Sequence, residues 1–213
     1  QFLTCQTLEL NRQKGVLSIT PNRGTAKNRQ IFAGTYVMRR DLFIDMIKKA
    51  HNTSAMYSLM DWVNLMCNEM DIRGVAHRGY FGSITDFKTY YATRMSLIDL
   101  KTARSLFDPD WPIYTRTSDS CPTQYLEGAD VKASVISNGC RIEGTIDHSI
   151  LSRGCIIKKG AVVKNCVILP DVVIGEDTVL ENVVVDKHVR INHIKEVKGT
   201  PEHPGYVKRG DHL

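Results

Sequence analysis

The fold is decided by residues 148–198, which divide into HSILSRGCIIKKGAVVK (148–164), NCVILPDVVIGEDTVLE (165–181) and NVVVDKHVRINHIKEVK (182–198). These are three consecutive copies of 17 residues, and a copy two residues shorter, ASVISNGCRIEGTID (133–147), precedes them. Large aliphatic residues recur through the three copies at spacings of six, six and five: Leu151, Ile157, Val163, Ile168, Ile174, Leu180, Val185, Ile191 and Val197. A fixed period over consecutive copies indicates a solenoid.

A smaller residue stands two positions before each large aliphatic residue, and Lys195 is the exception. Because side chains alternate across a strand, this pairing places two inward residues on each short strand of a three-sided coil. An antiparallel sheet would also show alternation, but the fixed 6-6-5 spacing favours a parallel β-helix over residues 131–198 with Ile157, Ile174 and Ile191 in one interior column. The smaller residues are Ser149, Cys155, Ala161, Cys166, Val172, Thr178, Val183 and Val189, with Ser134, Cys140 and Gly144 in the shortened copy.

Composition places the chain among soluble globular proteins. Of its 213 residues, 42% are hydrophobic and 24% are charged, and no apolar run approaches a membrane span. The first residues, QFLTCQTLEL, lack the order of a signal peptide, so a cytoplasmic location is expected. The net charge of +5 is spread along the chain, which disfavours a nucleic-acid or membrane partner.

The six cysteines form no CxxC pair, and three of them occupy small-residue positions of the repeat. We expect reduced packing residues and no metal site, because convergence of Cys140, Cys155 and Cys166 with His148 would contradict their inward positions.

The region before the repeats mixes strand and helix patterns. Strands are predicted at 15–21 and 31–38, helices at 40–51 and 56–69, a strand and turn from Ile72, and a helix that begins after Asp86 as its N-cap. The predicted domains are an α/β region at 1–107, a proline-bearing linker at 108–130 and a β-helix with a polar closing cap at 131–213. Four apolar linker residues are expected to pack against another surface: Trp111, Ile113, Tyr114 and Tyr125.

Four stretches show a family resemblance: TAKNR (25–29), GYF (79–81), WPIYT (111–115) and SNGCRIEGTIDHSILSRG (137–154). In this order the chain resembles the C-terminal part of glucose-1-phosphate adenylyltransferase, or ADP-glucose pyrophosphorylase, and most closely its GlgD-type regulatory branch. The resemblance implies an α/β fragment of a doubly wound nucleotidyltransferase domain followed by a left-handed parallel β-helix. Complete catalytic members use Mg²⁺ to convert ATP and glucose 1-phosphate to ADP-glucose, whereas no cofactor is expected for this chain.

Departures from the family pattern fall at the sugar-phosphate site. Thr20 stands where catalytic members have a lysine, and Ser83 stands where they have an aspartate. Gly34, Tyr80 and Phe81 complete the matching positions, with core packing as their alternative role. A neutral hydroxyl cannot supply a charge-assisted contact to phosphate, so this chain alone is predicted to be inactive.

Three functions follow as hypotheses. The first is a regulatory, non-catalytic subunit that forms an oligomer with a catalytic subunit. It would bind a small anionic effector through Arg153, Arg116, Lys158 and Lys159. The alternative is that these four residues are ordinary solvated surface. The second is a catalytic nucleotidyltransferase whose nucleotide-binding half is absent from these residues. The third is a hexapeptide acyltransferase that uses coenzyme A, with a catalytic histidine at a junction between neighbouring subunits. The candidates are His148, His188 and His193.

Overall fold

The computed structural model describes residues 5–22, 30–52, 58–115 and 117–211. The chain divides into two compact units, Gln1–Arg78 and Gly79–Leu213. This division lies earlier than the domain boundary predicted after residue 107, because Phe87 and Tyr91 pack against residues of the repeats that follow.

The repeats form the predicted parallel β-solenoid. Its three faces are five-stranded parallel sheets with the orders β4-β7-β10-β13-β16 (first face), β5-β8-β11-β14-β17 (second face) and β6-β9-β12-β15-β18 (third face). The strands are β4 (Gln124–Tyr125), β5 (Asp130–Lys132), β6 (Val135–Ile136), β7 (Arg141–Ile142), β8 (Thr145–Asp147), β9 (Ile150–Leu151), β10 (Ile156–Ile157), β11 (Val162–Lys164), β12 (Val167–Ile168), β13 (Val173–Ile174), β14 (Val179–Glu181), β15 (Val183–Val185), β16 (Arg190–Ile191), β17 (Glu196–Lys198) and β18 (Gly205–Val207).

The predicted interior column is confirmed on the first face. Ile157 is in register with Ile174, and Ile174 with Ile191, and all three side chains are fully buried. Each aliphatic side chain buried in this way contributes about 1.5–3 kcal/mol, although a single coil cannot bury its inner surface without neighbours. The other faces have equivalent columns: Val131, Ile146, Val163, Leu180 and Val197 on the second, and Ile136, Leu151, Ile168, Val185 and Val207 on the third.

The solenoid is longer than the predicted 131–198. It begins at Gln124, inside the predicted linker, because the Gln124 amide donates to the Cys140 carbonyl at 2.9 Å. It ends at Val207, since Gly205–Val207 in the predicted polar cap pairs with β15. Lys195 breaks the inward pattern because its side chain is exposed and donates to the Glu176 carbonyl at 2.8 Å.

Charges alternate along the outside of the second face. The register places Asp147 between Lys132 and Lys164, and Glu181 between Lys164 and Lys198. Opposite charges on directly adjacent strands attract, whereas a register shift would change these pairings. The ladder therefore favours one stacking of the coils.

A helix covers the outside of the third face. Helix α3 (Phe87–Ser96) begins with the predicted N-cap Asp86, which forms a capping box with Thr89. Its Tyr91 is buried with the outward residues Val167 and Val184. This packing explains why the second compact unit begins at Gly79. The helix predicted over residues 87–100 ends at Ser96, and a further helix, α4 (Leu100–Leu106), starts after its own cap, Asp99.

The first unit contains the antiparallel sheet β2-β1-β3, formed by β1 (Gln6–Leu10), β2 (Val16–Pro21) and β3 (Gln30–Ile31). Helices α1 (Arg40–His51) and α2 (Leu59–Met66) accompany it, and Val16, Ile19 and Trp62 lie in their shared core. Within 5–22, 30–52 and 58–78 every strand pairing is antiparallel.

Two strand predictions in this unit are wrong. The predicted strand at 31–38 stops at Ile31, because Gly34 has a φ of +76° and an extended strand cannot accommodate that conformation. Val37 beyond this turn is 98% exposed instead of buried. The segment from Ile72 contributes only an isolated bridge between Arg73 and Gly15.

In the part of the linker that the structure describes, the apolar residues are not buried within this chain, and their packing against another surface stays a prediction. Trp111 and Tyr114 are 83% and 92% exposed. Ile113 and Tyr125 are exposed as well. The apolar character of WPIYT therefore does not reflect burial within this chain.

Candidate functional site

Thr20, in the position of the family lysine, lies on β2 opposite Thr7 of β1. The two hydroxyl oxygens are 3.1 Å apart, and the Thr7 hydroxyl also lies 3.1 Å from the Thr20 carbonyl oxygen. The Thr20 hydroxyl therefore joins two strands and adds no positive charge to the surface. Gly34 lies in the same unit at an exposed turn, where a Cβ atom would meet nothing within 4 Å.

The segment with Tyr80, Phe81 and Ser83 packs on helix α3 in the second unit. The Tyr80 hydroxyl lies 3.0 Å from the Ser96 hydroxyl and 3.4 Å from the Thr93 carbonyl oxygen. Thr93 donates in turn to the Ser83 carbonyl at 3.4 Å. Tyr80 and Ser83 are thus brought together as packing partners of α3, while Phe81 is 36% exposed.

The opposite side of α3 binds the solenoid. The Tyr91 hydroxyl donates to the Asn165 carbonyl at 2.6 Å and lies 3.5 Å from the Asn182 side-chain oxygen. The pKa of Tyr91 is raised to about 12, mainly by burial and to a smaller extent by the nearby Cys166. Asn165 and Asn182 occupy one corner of successive coils, with left-handed φ values of 50° and 54°. Sequence reasoning missed this contact; the signal was the apolar Val167 and Val184 at outward positions.

Arg153 lies on an exposed corner between the third and first faces. Its carbonyl accepts from the Asp171 amide at 3.0 Å, so Asp171 occupies the same corner one coil later. A Cβ on Gly154 would lie 2.4 Å from an Asp171 carboxylate oxygen, which places a negative charge over this corner. The candidate effector contact therefore has an acidic neighbour.

Lys158 and Lys159 lie at a different corner, at the other end of strand β10. There the Asp177 amide donates to the Lys159 carbonyl at 3.1 Å, and a Cβ on Gly160 would clash with an Asp177 carboxylate oxygen. The predicted effector residues thus fall into two separate groups, each with its own aspartate. Arg116, the fourth predicted effector residue, and the TAKNR stretch lie outside the described residues.

The three histidines of the acyltransferase hypothesis lie at three different corners. His148 follows the second face, His188 precedes the first face and His193 follows it. His188 Nδ1 lies 3.5 Å from an Asp171 carboxylate oxygen, an exposed contact that is ionic only when the imidazole is protonated. The structure therefore does not bring these histidines together.

Across the described ranges, no group of three or more His, Cys, Asp or Glu side chains is arranged to hold a metal ion. Of the helices in these ranges, none combines the length and apolar character that a membrane crossing needs. At the predicted site positions of the second unit, the structure shows the Tyr80–Ser83 segment bonded to α3, and α3 packed on the solenoid.

The fold and repeat pattern define a hexapeptide-type β-solenoid. A family model of the GlmU-like C-terminal hexapeptide domain matches residues 122–203, close to the observed limits of the solenoid. The match covers the solenoid part of the second unit and includes neither α3 nor the first unit.

The wider comparisons identify relatives over most of the chain. The glycogen biosynthesis protein GlgD of Bacillus subtilis (strain 168) is 38% identical over 175 residues, which are 82% of this chain and 51% of that protein. The GlgD of Geobacillus stearothermophilus matches with the same identity and the same shares. The glucose-1-phosphate adenylyltransferase of Streptomyces coelicolor (strain ATCC BAA-471 / A3(2) / M145) is 36% identical over 86 residues, 40% of this chain and 22% of that protein. The resemblance inferred from the motifs is confirmed, and the chain spans about half the length of the GlgD relatives it matches.

Proposed function

We propose that the chain is the C-terminal part of a regulatory, non-catalytic GlgD-type subunit that modulates ADP-glucose synthesis for glycogen in the cytoplasm. In this proposal its partner is a catalytic glucose-1-phosphate adenylyltransferase subunit, with which it forms an oligomer. The first unit then belongs to a doubly wound nucleotidyltransferase-like domain, and the solenoid is a left-handed β-helix.

The main support is the chemistry of the substrate positions. The Thr20 hydroxyl lies against that of Thr7, and the Tyr80 hydroxyl is bonded within the chain to α3. Phosphate binding depends on cationic donors, whose hydrogen bonds are about twice as strong as neutral ones. Thr20 supplies no cation, and Ser83 cannot supply the carboxylate that catalytic relatives have at its position. The residues at these two positions therefore supply neither of the charges that catalytic relatives have there.

A second observation supports regulation. Helix α3 bonds to the Tyr80–Ser83 segment through Thr93 and to the solenoid through Tyr91. A shift of the coil corner at Asn165 would move α3 and with it the family's substrate segment. This direct connection gives a subunit interface or an effector on the solenoid a physical route to that segment.

The experiment mixes the purified full-length protein with the catalytic paralogue of the same organism and measures ADP-glucose formation from ATP and glucose 1-phosphate. The protein alone is expected to show background activity, and the mixture is expected to co-elute and to change the rate or the substrate affinity of the catalytic subunit. ADP-glucose formation by the protein alone would support the catalytic alternative. Separate elution with unchanged kinetics would refute the regulatory role.

Substitutions test the charge argument directly. The double variant Thr20→Lys, Ser83→Asp is expected to bind glucose 1-phosphate more tightly in calorimetry, because it restores a cation for the phosphate. The double variant Ser18→Lys, Ser83→Asp has the same net charge, with the lysine two residues earlier on β2, and serves as the control. Equal effects of the two double variants would show that a lysine at position 20 has no specific role in binding.

The effector role of Arg153 needs its own titration. Arg153→Ala is expected to weaken the response of the mixed enzyme to phosphoglycerate or sugar phosphates without changing oligomer size, since a guanidinium binds phosphate in bidentate fashion. Lys187→Ala, which removes an exposed cation farther along the solenoid, is the control. Superimposable activation curves for wild type and Arg153→Ala would leave Arg153 as ordinary surface.

A further inference from the structure

Two cysteines of the repeat lie directly opposite each other on adjacent coils. Cys140 and Cys155 each precede a strand of the first face by one residue, and the register pairs Arg141 with Ile156. The Arg141 amide donates to the Cys155 carbonyl at 2.9 Å, which continues the ladder to the cysteines. Adjacent strands lie roughly 4.8 Å apart, and this separation falls within the Cα spacing of about 4.4–6.8 Å that disulfides require.

The two thiols also face each other. Both side chains point into the solenoid, where Cys140 is 2% exposed and Cys155 is fully buried. The nearby Cys155 thiol lowers the pKa of Cys140, with contributions from the Thr123 hydroxyl and backbone N–H groups, and the same proximity raises the pKa of Cys155. The Cys155 sulfur lies 3.3 Å from the Leu169 carbonyl oxygen. The Cys140 sulfur also lies 3.2 Å from the Ser152 carbonyl oxygen.

The other buried cysteine has no such partner in the adjacent coils. Cys166 precedes the third face, and its counterparts one coil away are Ser149 and Val183. Ser149 accepts a hydrogen bond from the Cys166 amide at 2.9 Å, which confirms the stacking of these two positions. The chain therefore holds one stacked cysteine pair and one similarly buried cysteine for comparison.

We infer that Cys140 and Cys155 are an oxidation site at which a hydroperoxide forms a disulfide between neighbouring coils. This inference is independent of the proposed function, because it depends only on the solenoid. Cys140 reacts first, since it keeps the only solvent exposure of the pair and its thiol is the more readily ionised. Cys155 then acts as the resolving thiol, the usual arrangement in redox-sensitive cysteine pairs.

The chemistry balances with a hydroperoxide as the oxidant. The Cys140 thiolate attacks the terminal oxygen, the O–O bond breaks, and the departing alkoxide or hydroxide takes up a proton, leaving a sulfenic acid on Cys140. The Cys155 sulfur attacks the Cys140 sulfur, the S–O bond breaks, and water leaves with the Cys155 proton. The two sulfurs lose two electrons in total, and the peroxide gains them.

Oxidation changes the exposed corner next to the pair. The disulfide closes the segment 140–155, which contains the corner with Arg153, and it removes the Cys140 hydrogen available to the Ser152 carbonyl. The corner is therefore the part of the surface expected to respond to the oxidation state.

The test exposes the purified protein to hydrogen peroxide, blocks free thiols with N-ethylmaleimide and analyses the tryptic digest without reduction. Cleavage at Arg141 and Arg153 separates the two cysteines into different peptides, so a disulfide appears as one cross-linked species about 2 Da lighter than the sum of the two. Cys166, alkylated after unfolding, is the internal control. Absence of the cross-link, or a cross-link from Cys140 to Cys121, would overturn the assignment.

Two serine variants separate chemistry from folding. Serine fits these slots, because Ser134 and Ser149 occupy equivalent positions, and circular dichroism checks the fold. Cys155→Ser is expected to abolish the cross-link and to leave a sulfenic acid on Cys140 that dimedone traps, with at least about tenfold more label than on Cys166. Cys166→Ser is expected to form the cross-link as the wild type does. Equal dimedone labelling of Cys140 and Cys166 would refute the selective reactivity of Cys140.

Discussion

Replacing Ile174 by alanine tests the interior column on which the solenoid depends. Ile174 is fully buried between Ile157 and Ile191. The change removes three carbon atoms, about 0.8 kcal/mol each by transfer, and the rigid coils cannot collapse fully onto the cavity that remains. The expected loss in free energy of unfolding is about 3–4 kcal/mol, within the ~2–5 kcal/mol typical of Ile→Ala in cores.

Ile156→Ala is the matched control, because Ile156 lies on the same face but points outward and is 37% exposed. Its expected cost is about 1 kcal/mol or less, since much of its surface is already in contact with water. Urea unfolding of each variant, followed by far-ultraviolet circular dichroism, measures the difference. Similar losses for the two variants would refute the inward assignment, and so would an unchanged midpoint for Ile174→Ala.

Two further perturbations test the outer contacts of the solenoid. Tyr91→Phe leaves the Asn165 carbonyl without its 2.6 Å donor and is expected to cost about 1–2 kcal/mol in urea unfolding. The pKa of Tyr91 is about 12 in the folded protein and about 10 in the unfolded chain. Protonated Tyr91 therefore stabilises the folded protein fully below about pH 10, and this stabilisation is lost as the pH rises through the folded pKa. Tyr91→Phe should lack this loss of stability at alkaline pH. Asp147→Lys places three lysines in a row with Lys132 and Lys164 and should lower the melting temperature, less so at about 1 M salt, where charges are screened within ~3 Å. An equal melting-temperature loss at low and high salt would contradict the charge ladder.

Secondary structure away from the repeats was predictable only where a local signal was strong. Asp86 was predictable as an N-cap because a capping side chain bonds locally, here to the Thr89 amide three residues later. The strand predicted at 31–38 failed because the apolar pattern does not reveal that Gly34 adopts a positive φ. WPIYT was expected to pack against another surface, and Trp111 is 83% exposed in this chain, because hydrophobicity alone does not show which surface covers a residue.

The candidate site was predictable in its residues but not in its contacts. Thr20 and Ser83 were identified because they stand where catalytic family members have charged residues. The lack of charge on a threonine or serine side chain does not depend on the residues around it. Their bonds to Thr7 and Thr93 join positions 13 and 10 residues away, and no sequence period specifies such pairs.

By itself, the sequence determined the solenoid. The 17-residue period states which side chain points inward and which residues stack, because each coil repeats the geometry of its neighbour, as the column of Ile157, Ile174 and Ile191 shows. Only the tertiary structure decided what lies against the coils. The docking of Tyr91 on Val167 and Val184 depends on distances between segments that are far apart in the chain. Such contacts result from packing in three dimensions, and local patterns specify them only indirectly.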